Sequence, residues 1–161
     1  MLDDETLKEV GRYVVEFNTL EELITALAAA IFECAEWGTA EYLRKRDTSQ
    51  KLDQIQEVCK ILAGAHELQE SPLRRALSDQ ITEARTILSE RNAVIHGELT
   101  TKHGKRPIAQ LRKTQGSPIV VLSPGALSVL VQKISRTTDS LLTAYCDFMG
   151  AVDRARGAAA K

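Results

Sequence analysis

Ser89-Glu90-Arg91-Asn92-Ala93-Val94-Ile95-His96-Gly97 is the stretch on which the reading of this chain turns. It closes the best helical segment of the sequence and sets a guanidinium, a carboxamide and an imidazole within two helical turns. Asn92 and His96 are four residues apart, so they share a helix face. At about 100° and 1.5 Å per residue, Arg91 and His96 sit roughly 140° apart around the axis and about 7.5 Å apart along it. One isolated helix does not make them a pair. Gly97 suits a C′ position, which leaves His96 in the last turn. A second copy of the helix, related by a two-fold axis, would bring two Arg and two His into one cleft.

Working back from this stretch, Ser71-Pro72 is a helix start, with Ser at N-cap and Pro at N1. Leu73, Leu77, Ile81, Ala84, Ile87, Leu88, Val94 and Ile95 then follow at helical spacing and drive the segment into a core. Earlier still, residues 4–36 read as one long helix or two abutting ones. Leu7, Val10, Tyr13, Val14 and Phe17 form one stripe, and Leu20, Leu23, Ile24, Leu27 and Ile31 continue it. Thr19-Leu20-Glu21-Glu22 fits a capping box, which allows a break near Asn18. Trp37-Gly38 ends the segment, and a second helix is expected from Thr39 into Arg44-Lys45-Arg46. Asp47-Thr48-Ser49 caps a further helix carrying Leu52, Ile55, Val58, Cys59 and Leu62, with Gly64 as its terminator or soft spot.

Working forward, the pattern changes after Gly97. Residues 106–112 and 118–122 are short β-like runs punctuated by Gly104, Gln115-Gly116-Ser117 and prolines. They predict a small two-stranded hairpin lying against the helices or a second subunit. Ser123-Pro124 repeats the Ser-Pro start. The last helix runs through Leu127, Leu130, Val131, Ile134, Leu141, Leu142, Tyr145, Phe148 and Met149. Gly150 weakens it, and residues 151–161 are expected to fray. No internal repeat or linker separates these parts. The expectation is a single all-α domain over residues 1–150, an antiparallel bundle of four or five helices with a β-hairpin inserted before the last one.

The 161 residues suffice for one core, and net charge is −1. The charge is unevenly spread. Residues 1–98 hold 11 Lys and Arg against 19 Asp and Glu, a net of −8, whereas residues 99–138 hold seven basic residues and no acid. The basic block begins just after His96, where it can hold a polyanion over the Arg/His stretch, or simply keep a hairpin and a helix face solvated. Aromatics make up 4% of the chain, which argues against a base-stacking platform. Cys34, Cys59 and Cys146 are odd in number, widely spaced and without a Cys-x-x-Cys pair. They suggest small buried hydrophobes rather than disulfides or a zinc site. No apolar run approaches the ~20 residues of a membrane span. The acidic start, Met1-Leu2-Asp3-Asp4-Glu5, does not resemble a signal peptide. A cytoplasmic location is expected, without membrane contact, cofactor or metal.

Arg91 and His96 are the constellation with chemistry in it. Cleavage of RNA by its own 2′-hydroxyl needs a base with a pKa near neutrality, which an imidazole supplies. It needs a cation for the charge on the phosphorane, which a guanidinium supplies. Asn92 can hold the imidazole's tautomer and orientation. There is no Gly-rich phosphate loop, Gly-x-Ser-x-Gly or His-x-x-x-His. Against this stands a plain structural account, with Arg91 a solvated charge and His96 a favourable cation at a helix C-terminus. His66 reads as an ordinary surface or partly buried residue, and His103 as a loop residue within reach of phosphate.

Glu90-Arg91-Asn92-Ala93-Val94-Ile95-His96-Gly97 resembles the Arg-polar-x-x-x-His motif of the HEPN superfamily (higher eukaryotes and prokaryotes nucleotide-binding domains). The Phe17-Asn18-Thr19-Leu20-Glu21 region, the hairpin and the closing helix resemble that family more loosely. The resemblance implies an all-α bundle that pairs as a homodimer, with the motif at the dimer cleft. It implies a metal-independent endoribonuclease, a toxin of a toxin–antitoxin pair with a partner antitoxin, or a phage-defence component. Arg91, Asn92 and His96 would be the catalytic set, and the basic block after the motif would supply Lys102, His103, Lys105, Arg106, Arg112 and Lys113 as RNA-binding residues. The alternative within the family is a non-catalytic module for dimerisation or binding.

Overall fold

The computed structural model describes residues 2–34, 46–96, 98–100, 108–110 and 119–159; at Cys34, His96, residues 98–100, 108–110 and Ile119 it describes the backbone. Helix dominates these residues, as an all-α chain requires. The elements are α1 (Asp4–Cys34), α2 (Thr48–Ala65), α3 (Pro72–His96), the strands β1 (Glu98–Thr100), β2 (Ile108–Gln110) and β3 (Ile119–Val121), and α4 (Pro124–Ala159). Among the described residues no helix is long and apolar enough to cross a membrane. The helix expected over 39–46 lies almost wholly outside the described residues. So do the Trp37-Gly38 stop, the C′ position of Gly97 and the loops 101–107 and 111–118.

The helix starts follow from local chemistry. Asp3 Oδ1 accepts from the Thr6 amide at 2.7 Å, which caps α1 and holds the Asp3 carboxyl below its ordinary pKa. Asp47 accepts from the Gln50 amide, and the Gln50 side chain accepts from the Asp47 amide, a reciprocal capping box for α2. Ser71 Oγ accepts from the Leu73 amide and Ser123 Oγ from the Ala126 amide, so both Ser-Pro pairs open helices.

α1 runs unbroken past Asn18. The Thr19 hydroxyl donates to the Val15 carbonyl at 3.3 Å, an i−4 bond made inside a helix and not at its start. α2 passes Gly64 and ends at Ala65. The left-handed residue is Glu67, with φ 56°, and the Leu68 amide bonds back to the Ala63 carbonyl at 2.8 Å. α4 passes Gly150 and carries residues 151–159 as helix, where fraying was expected. One helical Gly costs about 1 kcal/mol. Burying Val152, fully enclosed, contributes about 1.5–3 kcal/mol and outweighs it.

The chain forms two compact units: residues 1–20 with 84–136, and residues 21–83 with 137–161. In the first, Tyr13, Phe17 and Leu20 of α1, Ala84, Ile87 and Ala93 of α3, and Leu127, Val131 and Ile134 of α4 are buried. Ala93, Val120, Leu122 and Leu127 form one cluster, with Leu2, Val10, Val94 and Leu130 packed on it. The strands make an antiparallel sheet in the order β1-β2-β3, with Leu99 opposite Ala109 and Ala109 opposite Val120. Two strands were expected and three are present. β1 is three residues long, too short for alternation to be legible in sequence. Along β3 the alternation is plain: Val120 and Leu122 are buried, and Val121 between them is exposed.

In the second unit, Ile24, Leu27, Ala28 and Ile31 of α1 are buried, as are Leu52, Ile55, Val58, Cys59, Leu62 and Ala63 of α2. Leu77 and Ile81 of α3 and Leu141, Phe148 and Val152 of α4 complete its core. Three of the expected stripe residues fall elsewhere, Leu142 of α4 being exposed beside the buried Leu141. Leu7 and Ile95 are exposed, and Thr6 and Ala93 take the buried positions beside them.

Candidate functional site

Arg91 lies one turn beyond the fully buried Ile87 and only about 40° around the helix from it. Its position on α3 therefore aims it at the edge of the core, not at open solvent. The guanidinium carbon stands 5.1 Å from the centre of the Phe17 ring, a cation–π distance. Phe17 is itself buried on α1. Arg91 Nη1 donates to Asn92 Oδ1 at 3.2 Å. Arg91 and Asn92 are both half-buried. The Asn92 carboxamide oxygen thus accepts from the guanidinium. Among the described residues no carboxylate pairs with Arg91.

The neighbouring charge is disposed of differently. Lys133 of α4 donates to both oxygens of Glu90, at 3.0 and 3.2 Å. These side chains are only 29% and 19% exposed. An ion pair so far out of water is stronger per contact than a surface pair, and losing one partner is costly. Tyr13, one turn before Phe17 on the same face of α1, is fully buried. Its hydroxyl finds no hydrogen-bond partner among the described residues. Burial pushes the phenol's pKa far up; the Glu90 charge adds to the rise and the Arg91 charge opposes it. The phenol therefore sits within electrostatic reach of both.

The structure thus brings Arg91 and Asn92 together. His96 is the last residue of α3, five positions on, and its side chain lies outside the described residues. Lys102, His103, Lys105, Arg106, Arg112 and Lys113 lie outside them too. Sequence reasoning missed three participants. Phe17 and Tyr13 read as core, and Lys133 entered only the charge count. The i,i+4 aromatic spacing on α1 was visible, but nothing local says which helix it faces. Among the described residues no group of three His, Cys, Asp or Glu side chains is placed to hold a metal ion. Cys59 is buried, its thiol pushed up to about 12 by desolvation, and Cys146 is exposed.

No protein-family model matches the chain, and no curated protein or solved structure matches it. The functional reading therefore stands on the residues. A half-buried guanidinium on an aromatic platform, steadied by a carboxamide and unpaired with any described carboxylate, is suited to grip an anionic oxygen. Arg forks onto phosphate with two parallel donors, and partial burial strengthens each.

Proposed function

We propose that this chain is a HEPN-like endoribonuclease that cuts RNA by attack of the 2′-hydroxyl on the adjacent phosphate, in a cleft between two copies. His96 takes the 2′ proton as the oxygen–phosphorus bond forms. Arg91 stabilises the added negative charge on the phosphorane. The 5′-oxygen leaves with a proton from the second copy's imidazole, giving a 2′,3′-cyclic phosphate and a free 5′-hydroxyl. No step is assigned to a metal. Asn92 holds Arg91 in place, and the basic residues 102–113 hold the RNA. Within this reading the chain serves as a toxin or phage-defence component, restrained by a partner protein.

The observation that carries this reading is the state of Arg91: half-buried, aimed by Phe17 and Asn92, unpaired with any described carboxylate, and five residues before a helix-terminal His. A purely structural Arg in this setting would ordinarily be matched by an acid. The second reading, a non-catalytic HEPN-like module that dimerises or binds a partner, draws support from the same bonds. Arg91–Phe17 joins α3 to α1, and Glu90–Lys133 joins α3 to α4.

The two readings part on one experiment. The protein and His96→Ala are incubated with structured RNA in EDTA. Cleavage by the first and not the second, with cyclic-phosphate ends, supports the nuclease. Equal cleavage by both, or none by either, removes it and leaves the module.

A further inference from the structure

Glu90 and Arg91 are adjacent, and Arg91 already bends to an adjacent residue on its other side, donating to Asn92 at 3.2 Å. The Glu90 carboxylate is likewise one residue away in sequence, and both side chains act electrostatically on the Tyr13 phenol. A released Glu90 would compete with any incoming phosphate, since carboxylate and phosphate offer Arg the same pair of oxygens. Instead both Glu90 oxygens accept from Lys133 of α4, at 3.0 and 3.2 Å. Both partners are largely out of water, so the pair is weakly screened and persists in salt.

We propose that Lys133 is a positioning residue for anion binding: by holding both oxygens of Glu90 it keeps that carboxylate off Arg91 and leaves the guanidinium open to a phosphate group. This rests on the reading of Arg91 as the phosphate-binding cation. It adds to that reading a residue from another helix that acts through Glu90 and touches no substrate. The buried Tyr13 hydroxyl, unpartnered among the described residues and within reach of both charges, marks how poorly hydrated the surroundings are. The donors nearby are the Tyr13 hydroxyl and the Arg91 guanidinium, and a carboxylate is held more strongly by the charged one.

The test uses the full chain and a 2′-O-methyl RNA oligonucleotide, which binds but cannot be cut because its nucleophile is blocked. Dissociation constants are measured for wild type, Lys133→Met, Glu90→Gln and the double variant E90Q/K133M. A unit charge brought within a few ångströms of the anion in a partly buried site is worth about tenfold or more in affinity. K133M is expected to bind at least about tenfold more weakly. Glu90→Gln is expected to bind as tightly as wild type or tighter. E90Q/K133M is expected to recover wild-type affinity within about threefold, since removing the carboxylate removes the need for the lysine.

Rescue separates this role from a direct Lys133–phosphate contact, for which the double variant stays as weak as K133M. That outcome overturns the proposal, as does K133M binding like wild type or wild type failing to bind. If K133M does not fold, E90Q/K133M is compared with Glu90→Gln: equal affinity within about threefold supports the proposal, and a clear further loss overturns it. Failure of the nuclease reading shows separately, as absent cleavage of unmodified RNA while this binding pattern holds.

Discussion

The unit of residues 1–20 and 84–136 and the unit of residues 21–83 and 137–161 share three helices but treat polar groups in opposite ways. In the second, the described polar side-chain bonds sit at the margin. Thr48 donates to Glu21, Lys51 to Thr25, and Asp47 caps α2. Its interior is mostly aliphatic and aromatic, with Thr137 also buried and Gln54 Oε1 a buried side-chain oxygen lacking a described partner. In the first, a Glu–Lys pair, a guanidinium on a buried ring and a phenol without a described partner lie within or at the edge of the core. Desolvated charge is costly, and fold stability alone does not call for it. On the proposed reading the second unit is scaffold, and the first is where a chemical task would be worth its cost in stability.

The comparison breaks first in the scaffold. Phe148 is fully buried, and Phe148→Ala should cost about 3–5 kcal/mol, read as a lowered denaturation midpoint. A loss below about 1 kcal/mol would mean that this core is not load-sharing as its burial implies. In the first unit the larger effect, on the proposed reading, falls on RNA cleavage. Arg91→Ala should reduce RNA cleavage on the order of a hundred- to a thousandfold. Its cost in stability should stay within about 2 kcal/mol, the value of the lost cation–π contact. A large stability loss with cleavage unchanged would move Arg91 to the scaffold side.

Each unit also carries one buried weak acid, which sharpens the contrast by pH. The Cys59 thiol is raised to about 12 in the folded chain, so the unfolded chain loses that proton first. Stability is then full below about pH 8.5 and falls by about 1.4 kcal/mol per pH unit until the thiol ionises in place. Cys59→Ala should flatten that slope in alkaline denaturation curves. Tyr13, also raised, adds a further loss above about pH 10. The smallest effect carries an unusual sign. Tyr13→Phe removes a buried hydroxyl without a described partner and should raise stability by about 1 kcal/mol. Destabilisation in thermal melts would show that the hydroxyl is bonded in solution.

Much of the fold was legible because its determinants are local. Both Ser-Pro starts, the Asp47 cap and the stripes through Leu77 and Ile81 need only neighbours within a turn. The misreadings share one cause. Thr19 and Gly150 are weak local stops, each overridden by burial further along its helix, whereas α2 does end within one residue of Gly64. Thr6 and Ala93 took the core positions expected of Leu7 and Ile95 because small shifts in helix rotation are decided by the facing element. Of the site, Arg91 and Asn92 could be found from their motif spacing. Phe17, Glu90 and Lys133 could not be grouped, since they stand on three helices and lie up to 116 positions apart.

The amino-acid sequence by itself determined the helical class, the sites of helix initiation and the placing of Arg91 five residues before a terminal His. Those depend on spacing and on backbone hydrogen bonds that close within a few residues. Only the tertiary structure decided that Arg91 rests on Phe17 and that Glu90 is held by Lys133. Such contacts depend on which helix faces which, and that is settled by the packing of whole buried surfaces rather than by any single stretch of chain.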